Sequence, residues 1–123
     1  MENKRLINNL TNMVLKATLY IQAGNDLKNI YGTLNINLHP GESREIEYGD
    51  LRNSYLLGLK IDPLPIDSGD VYFSVVHQRG DDIDIWLNDS FSIDITIKQL
   101  KQMNVHSPFE GISQYTETAA FRQ

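Results

Sequence analysis

The sequence predicts an all-β chain: an antiparallel two-layer β-sandwich of immunoglobulin-like or jelly-roll type, with about seven strands. Three observations predict it. Apolar and polar residues alternate in seven separate stretches. Turn-forming residues stand between those stretches, and no long helical pattern separates them. Successive strand side chains point to opposite faces, so each alternating stretch marks a strand with one dry side. Closely spaced strands without intervening helices favour a sandwich over a parallel α/β sheet.

Met13, Leu15, Ala17, Leu19 and Ile21 alternate with Lys16, Thr18, Tyr20 and Gln22. Leu34, Ile36 and Leu38 follow with two asparagines between them, then Ile46 and Tyr48 among glutamates. Tyr55, Leu57, Leu59 and Ile61 make the next stripe, and Val71, Phe73 and Val75 another. Ile83, Ile85 and Leu87 alternate with Asp82, Asp84 and Trp86. Phe91, Ile93, Ile95 and Ile97 complete the set. The odd-numbered stripes from 13 and from 55 to 97, with the even-numbered stripe 34–48, are the predicted core. Many of these residues are β-branched or aromatic, which suits a pleated surface.

Between the stripes lie Gly24-Asn25-Asp26, Pro40-Gly41, Gly49-Asp50, Gly69-Asp70, Arg79-Gly80-Asp81 and Asn88-Asp89-Ser90. Pro40 presets φ for the first central position of a turn, and Gly41 tolerates the positive φ that a type II turn needs next. The stretch Leu38 to Asp50 therefore predicts a hairpin rather than a reactive loop. Residues 1–12 are a lead-in, 13–98 the sandwich domain, and 99–123 a tail. Ser107-Pro108-Phe109-Glu110 has the residues of a helix start, so that tail can form a short helix, with Phe109, Ile112, Tyr115 and Ala119 on one face and a neighbouring chain to pack on.

With 123 residues the chain can build one core. It has no cysteine, which removes disulfides and thiol chemistry. The net charge is −5, with seven Lys/Arg against six Asp/Glu in residues 1–60 and four against ten afterwards. No basic stripe favours nucleic acid or an anionic membrane surface. No apolar run reaches the ~20 residues of a membrane-spanning helix. Without a signal-peptide pattern, the expected location is cytoplasmic, with non-classical export as the other route.

Catalytic patterns are missing. Gly41-Glu42-Ser43-Arg44-Glu45 lacks the second glycine of a nucleophile elbow. His39, His77 and His106 lack metal-ligand spacing, and no phosphate-binding loop is present. A small hydrolase with dispersed carboxylates has no evident acid/base pair. Arg79-Gly80-Asp81 spells the integrin-binding tripeptide, but it also reads as a turn. Asn9-Leu10-Thr11 and Asn88-Asp89-Ser90 are formal glycosylation acceptors.

Two features carry binding hypotheses. Trp86, Tyr72 and Tyr20 fall opposite the aliphatic stripes, where aromatics can stack on sugars or bury in an interface. The alternative is that a second sheet, a terminal segment or a partner covers them. Eight aspartates crowd residues 62–94, with Arg79 their one basic companion. Among them Asp67, Asp70, Asp81 and Asp82 would suit calcium if their loops share one end of the sheet. Read plainly, they are turn residues, and Asp82, Asp84 and Asp94 are polar strand faces. No motif implies a cofactor; calcium is the one ion the composition suggests. The expectation is a non-enzymatic interaction or self-assembly module, homo-oligomeric. The alternative is a lectin-like glycan binder.

Overall fold

A computed structural model describes residues 3–109 and, for their strand pairing, 113–114. The chain is an all-β sandwich of two sheets. Strands β1 (Asn3–Asn9), β4 (Ser43–Tyr48) and β7 (Ile93–Ile95) form a three-stranded sheet in the order β4-β1-β7. Strands β2 (Leu15–Ala23), β3 (Asp26–Leu38), β5 (Leu56–Pro63), β6 (Tyr72–Val75) and the two-residue β8 (Ser113–Gln114) form the second, ordered β6-β5-β2-β3-β8. Pairing is antiparallel except for β1 with β7 and β3 with β8. The helical parts are short: α1 (Asp82–Asp84) running into a π-helical turn (Ile85–Asp89), and α2 (Ile97–Gln102).

The core lies between the sheets. Leu15, Ala17, Leu19 and Ile21 of β2 face Ile7, Ile46, Ile93 and Ile95 of the smaller sheet, all buried. Ile36 and Leu38 of β3 and Ile46 of β4 are buried as the even-numbered stripe predicts. Burying one such side chain contributes roughly 1.5–3 kcal/mol.

Residues 1–12 are more than a lead-in, because β1 is the central strand of the smaller sheet. The turn at Pro40-Gly41 forms as predicted: Glu42 N–H donates to His39 C=O at 3.0 Å and Gly41 has φ +78°. It does not join a hairpin, however. Strand β3 pairs with β2 and β4 with β1, so the turn carries the chain from one sheet to the other. The turn seats on the end of β1 through Asn9 N–H to Glu42 C=O (2.9 Å) and Gly41 N–H to Asn9 C=O (2.8 Å). Leu38 and Ile46 can thus share one core while belonging to different layers.

The period of two breaks in four places. At the start of β5 a bulge skips Leu57 between the pairs Tyr20↔Gly58 and Ile21↔Leu56. Both leucines are fully buried, while Tyr55, predicted inside, is 38% exposed. In β6, Tyr72 pairs with the inward Ile61 and Phe73 with the outward Lys60. Tyr72 therefore packs against the core and Phe73 faces out, the reverse of the predicted phase, while Val75 is buried as the stripe predicts. Residues 82–89 are helical rather than extended, and Ile83, Trp86 and Leu87 turn inward at helical spacing while Ile85 points out. The last stripe is cut short, with Phe91 91% exposed and Ile97 opening α2. Thr96 caps α2, its hydroxyl accepting from Gln99 N–H at 3.0 Å.

The segment after α2 packs on the chain's own larger sheet. Asn104 bridges to Phe73 through two backbone hydrogen bonds, at the β6 edge. Phe109 lies on the outer face, its ring centroid 4.3 Å from Tyr20 and 6.2 Å from Phe73. Beneath it is Gly58, where a Cβ would meet the Phe109 ring at 2.9 Å and Ser74 C=O at 2.8 Å. Strand β8 then adds to the opposite edge, on β3. An aromatic ring over a strand glycine replaces the missing side-chain contact. No helix starts at Pro108, and Ile112, Tyr115 and Ala119 lie outside the described residues. Phe109→Ala should lower stability by about 2 kcal/mol, less than a fully buried Phe→Ala, with a matching fall in melting temperature. An unchanged melting curve would show that the ring contributes nothing there.

Candidate functional site

The three aromatics singled out from the sequence occupy three separate places. Tyr20 stands on the outer face of the larger sheet beneath Phe109. Burial there, with a further contribution from Asp62, pushes its phenol above the usual value. Tyr72 packs against the core from the inner face of β6, and Trp86 does so from the π-helical turn. All three are partly covered by the chain itself, and they do not form one stacking platform.

The four aspartates also divide. Asp67 (φ +68°) and Asp70 lie in the exposed loop after β5. Asp81 and Asp82 lie beyond the far end of β6. Because β5 and β6 are antiparallel, these loops leave opposite ends of the pair. The shared end required for a four-aspartate calcium site is not formed. Among the described residues no group of three or more His, Asp or Glu is placed to hold a metal ion.

Asp81 instead organises its own loop. Its carboxylate accepts from the backbone N–H groups of Asp84 (2.8 Å), His77 (2.9 Å) and Gln78 (3.2 Å). Burial alone would raise its pKa, but these amides together outweigh it and hold the group below the ordinary aspartate value. Asp84, predicted on a wet strand face, is 2% exposed. It accepts from Arg79 Nη1 and Gly80 N–H, both at 2.7 Å, and from Asn88 Nδ2 at 2.8 Å. Arg79 also donates to Gln22 Oε1 at 2.5 Å and lies over the Tyr55 ring at 4.1 Å. Each member of the Arg-Gly-Asp tripeptide is thus engaged internally: Arg79 and Gly80 with Asp84, Asp81 with α1 and its own loop. Gly80, at φ +90°, suits a residue without a side chain.

Asn9 is fully buried. Its Nδ2 donates to the carbonyls of Met13 (2.8 Å), Leu38 (3.1 Å) and His39 (3.1 Å). Its Oδ1 accepts from Thr11 N–H (3.0 Å) and Thr11 Oγ1 (2.7 Å). Asn88 donates to Leu56 C=O and accepts from Leu56 N–H. The asparagines of both formal glycosylation triplets are therefore structural.

Two surface features remain after these internal networks are set aside. The first is the outer edge of β7, which among the described residues pairs with β1 alone. Exposed apolar side chains stand at both ends of this strand. On the side where the chain enters β7, Ile85 (47% exposed) lies in the π-helical turn closed by Ser90 N–H to Ile85 C=O at 2.8 Å, and Phe91 (91%) lies just before the strand. At the other end Leu10 (55% exposed) donates its N–H to Ile95 C=O at 2.8 Å, and Ile97 (43%) opens α2. Arg5 steadies the first end by donating to the Trp86 and Ser90 carbonyls and to Ser90 Oγ. In the sequence Phe91 and Ile97 read as the ends of a buried stripe, so alternation alone conceals their exposure.

The second is an open groove of about 580 Å³ at the end of the larger sheet. Lys16, Asn35, Ile36, Asn37, His39, Arg44, Leu64 and Ile66 line it. Sequence reasoning missed it because its walls come from β2, β3, β4 and the loop after β5. No local motif joins these segments. Comparison with protein-family models, curated proteins and solved structures found no match.

Proposed function

We propose that this protein is a non-enzymatic interaction module that self-assembles through β7, two copies pairing edge to edge. The observation that supports this reading is the open β7 edge with exposed apolar side chains at both ends. An unpaired strand presents free N–H and C=O groups to a further strand, and natural sheets usually protect such edges. The other edge of the same sheet, β4, carries Arg44, Glu45 and Glu47, which discourage pairing. At β7, Asp94 is held by Asn8 Nδ2 (2.7 Å) and Ser92 Oγ (2.8 Å), so its charge is partly satisfied within the chain. Ile85, Phe91, Leu10 and Ile97 supply the apolar area that pairing would remove from water.

Size-exclusion chromatography with light scattering tests the proposal. The full chain is expected to elute as a dimer at about 100 μM, since short edge contacts of this kind are of modest affinity. Phe91→Asp combined with Ile85→Asp should give a monomer whose melting temperature matches that of dissociated wild type. Wild-type protein that stays monomeric at millimolar concentration would remove the self-assembly reading.

The glycan-binding alternative would rest on stacking by Trp86 or Tyr72 singly, since the two stand in separate places, each partly covered by the chain. The groove lined by Lys16, Asn35 and Asn37 is a concave surface that can serve that reading.

A further inference from the structure

We propose that the groove between β2, β3, β4 and the loop after β5 is a binding site for a small organic carboxylate with an apolar body. The chain as a whole carries a charge of −5, yet no aspartate or glutamate is among the residues lining this groove. Lys16, His39 and Arg44 converge there instead, with the amides of Asn35 and Asn37. Strand register explains the convergence. Lys16 pairs with Asn37 and Thr18 with Asn35, which puts Lys16 and both asparagines on the outer face of the same sheet. The crossover turn then brings His39 and Arg44 to that end.

The nearby carboxylates are already engaged. Asp62, the cross-strand partner of Lys16 on β5, is largely buried and lies 3.7 Å from Lys60 Nζ. Glu42 accepts from His39 N–H at 2.8 Å and from Arg44 Nη2 at 2.7 Å. The Lys16 ammonium has no side-chain hydrogen bond or ion pair among the described residues. An anion can therefore bind it without displacing a partner. The Arg44–Glu42 pair is exposed, and such pairs are weak enough for Arg44 to share a second anion. Thr18 Oγ1 donates to Asn35 Oδ1 at 2.7 Å, leaving the Asn35 NH₂ group to donate.

Leu64 and Ile66, the latter 55% exposed, line the same groove. Leu64 is pinned by its N–H to Val14 C=O at 2.9 Å. Cationic and amide donors beside aliphatic groups suit a ligand that is charged at one end and apolar along its body. A fatty-acid-like chain and a sugar acid with an apolar ring face both have this chemistry.

The test is an NMR titration of the full-length ¹⁵N-labelled chain with sodium hexanoate, sodium glucuronate, sodium acetate and 1-hexanol. Hexanoate or glucuronate should shift the amides of residues 35–39 and 64–66 saturably, with Kd on the order of 1 mM, in keeping with so few ligand atoms. Whichever binds more tightly identifies the source, aliphatic or sugar acid. Acetate and hexanol should each bind at least about tenfold more weakly, because each lacks one half of the recognition. Lys16→Met and, separately, Arg44→Met should weaken binding about fivefold or more with melting temperature unchanged, whereas Lys28→Met should have no effect. Absence of saturable shifts with both acids would overturn the proposal. So would equal binding of hexanol, or unchanged affinity in both groove variants. Dimerisation through β7 does not enter this readout, so the two proposals stand or fall separately.

Discussion

Replacing Asn9 by alanine is expected to cost about 3 kcal/mol of stability, read as a lower urea midpoint with little change in slope. Three backbone carbonyls, those of Met13, Leu38 and His39, lose a donor, and Thr11 loses the acceptor for both its N–H and its hydroxyl. Asn9 is 0% exposed and Thr11 6%, so at least the buried members of this group lose a partner that water does not readily replace. Asn9 joins the end of β1 to the end of β3, and hence one sheet to the other. Asn9→Asp should be at least as damaging, because it keeps the acceptor for Thr11 but turns a second oxygen toward three carbonyls. A cost below about 1 kcal/mol for the alanine variant would mean that local rearrangement satisfies these groups by another route.

The second large effect is expected at Asp84. Asp84→Ala removes the common acceptor of Arg79, Gly80 and Asn88, and it should destabilise by about 3 kcal/mol. Breaking a fully buried ion pair from one side can cost more, but the Arg79 side chain is 39% exposed and can turn to water. For the same reason Arg79→Ala should cost less, about 1–2 kcal/mol, mainly through loss of its bonds to Asp84 and Gln22. A double-mutant cycle in urea should give a coupling of about 1–2 kcal/mol between the two positions. Additive costs would show that Arg79 and Asp84 act independently, and the internal role assigned to the Arg-Gly-Asp tripeptide would then fail.

These two residues mark where the linear pattern misleads. Asp84 sits in a stretch whose isoleucines alternate, so it reads as a wet strand residue. The same letters also fit helical spacing, with Ile83, Trp86 and Leu87 on one side. Cap chemistry decides between them: Asp81 accepts the N–H three residues ahead, and Thr96 does the same for Gln99. Those caps are visible in the letters Asp81-Asp82-Ile83-Asp84 and Thr96-Ile97-Lys98-Gln99, and they identify both helical turns when weighed against alternation. Asn9 gives no such sign, since a buried asparagine and a solvated one look alike until their neighbours are known.

The candidate surfaces were less legible still. Alternation places Tyr20 on an outer face, but only Phe109, 89 residues later in the chain, reveals what covers it. In β6, Val71, Phe73 and Val75 look more apolar than Tyr72 and Ser74, so alternation alone predicts the wrong side for Phe73 and Tyr72. Pairing with Lys60 and Ile61 sets the opposite phase, and Phe109 gives Phe73 an apolar contact on the outside. The groove has no signature because its lining is drawn from segments up to fifty residues apart in the chain.

The sequence by itself determined the all-β class, the inward faces of β2, β3 and β4, and the bend at Pro40-Gly41. Each depends on neighbours one to three residues away, through the pleat of a strand or the φ preferences of two residues. The tertiary structure alone decided which strands share a sheet, where the β5 bulge shifts the phase, and which polar groups are buried together. Alternation tells a strand which side to hide but not which partner to pair with. That choice rests on contacts between distant segments, whose energies appear only when the layers meet.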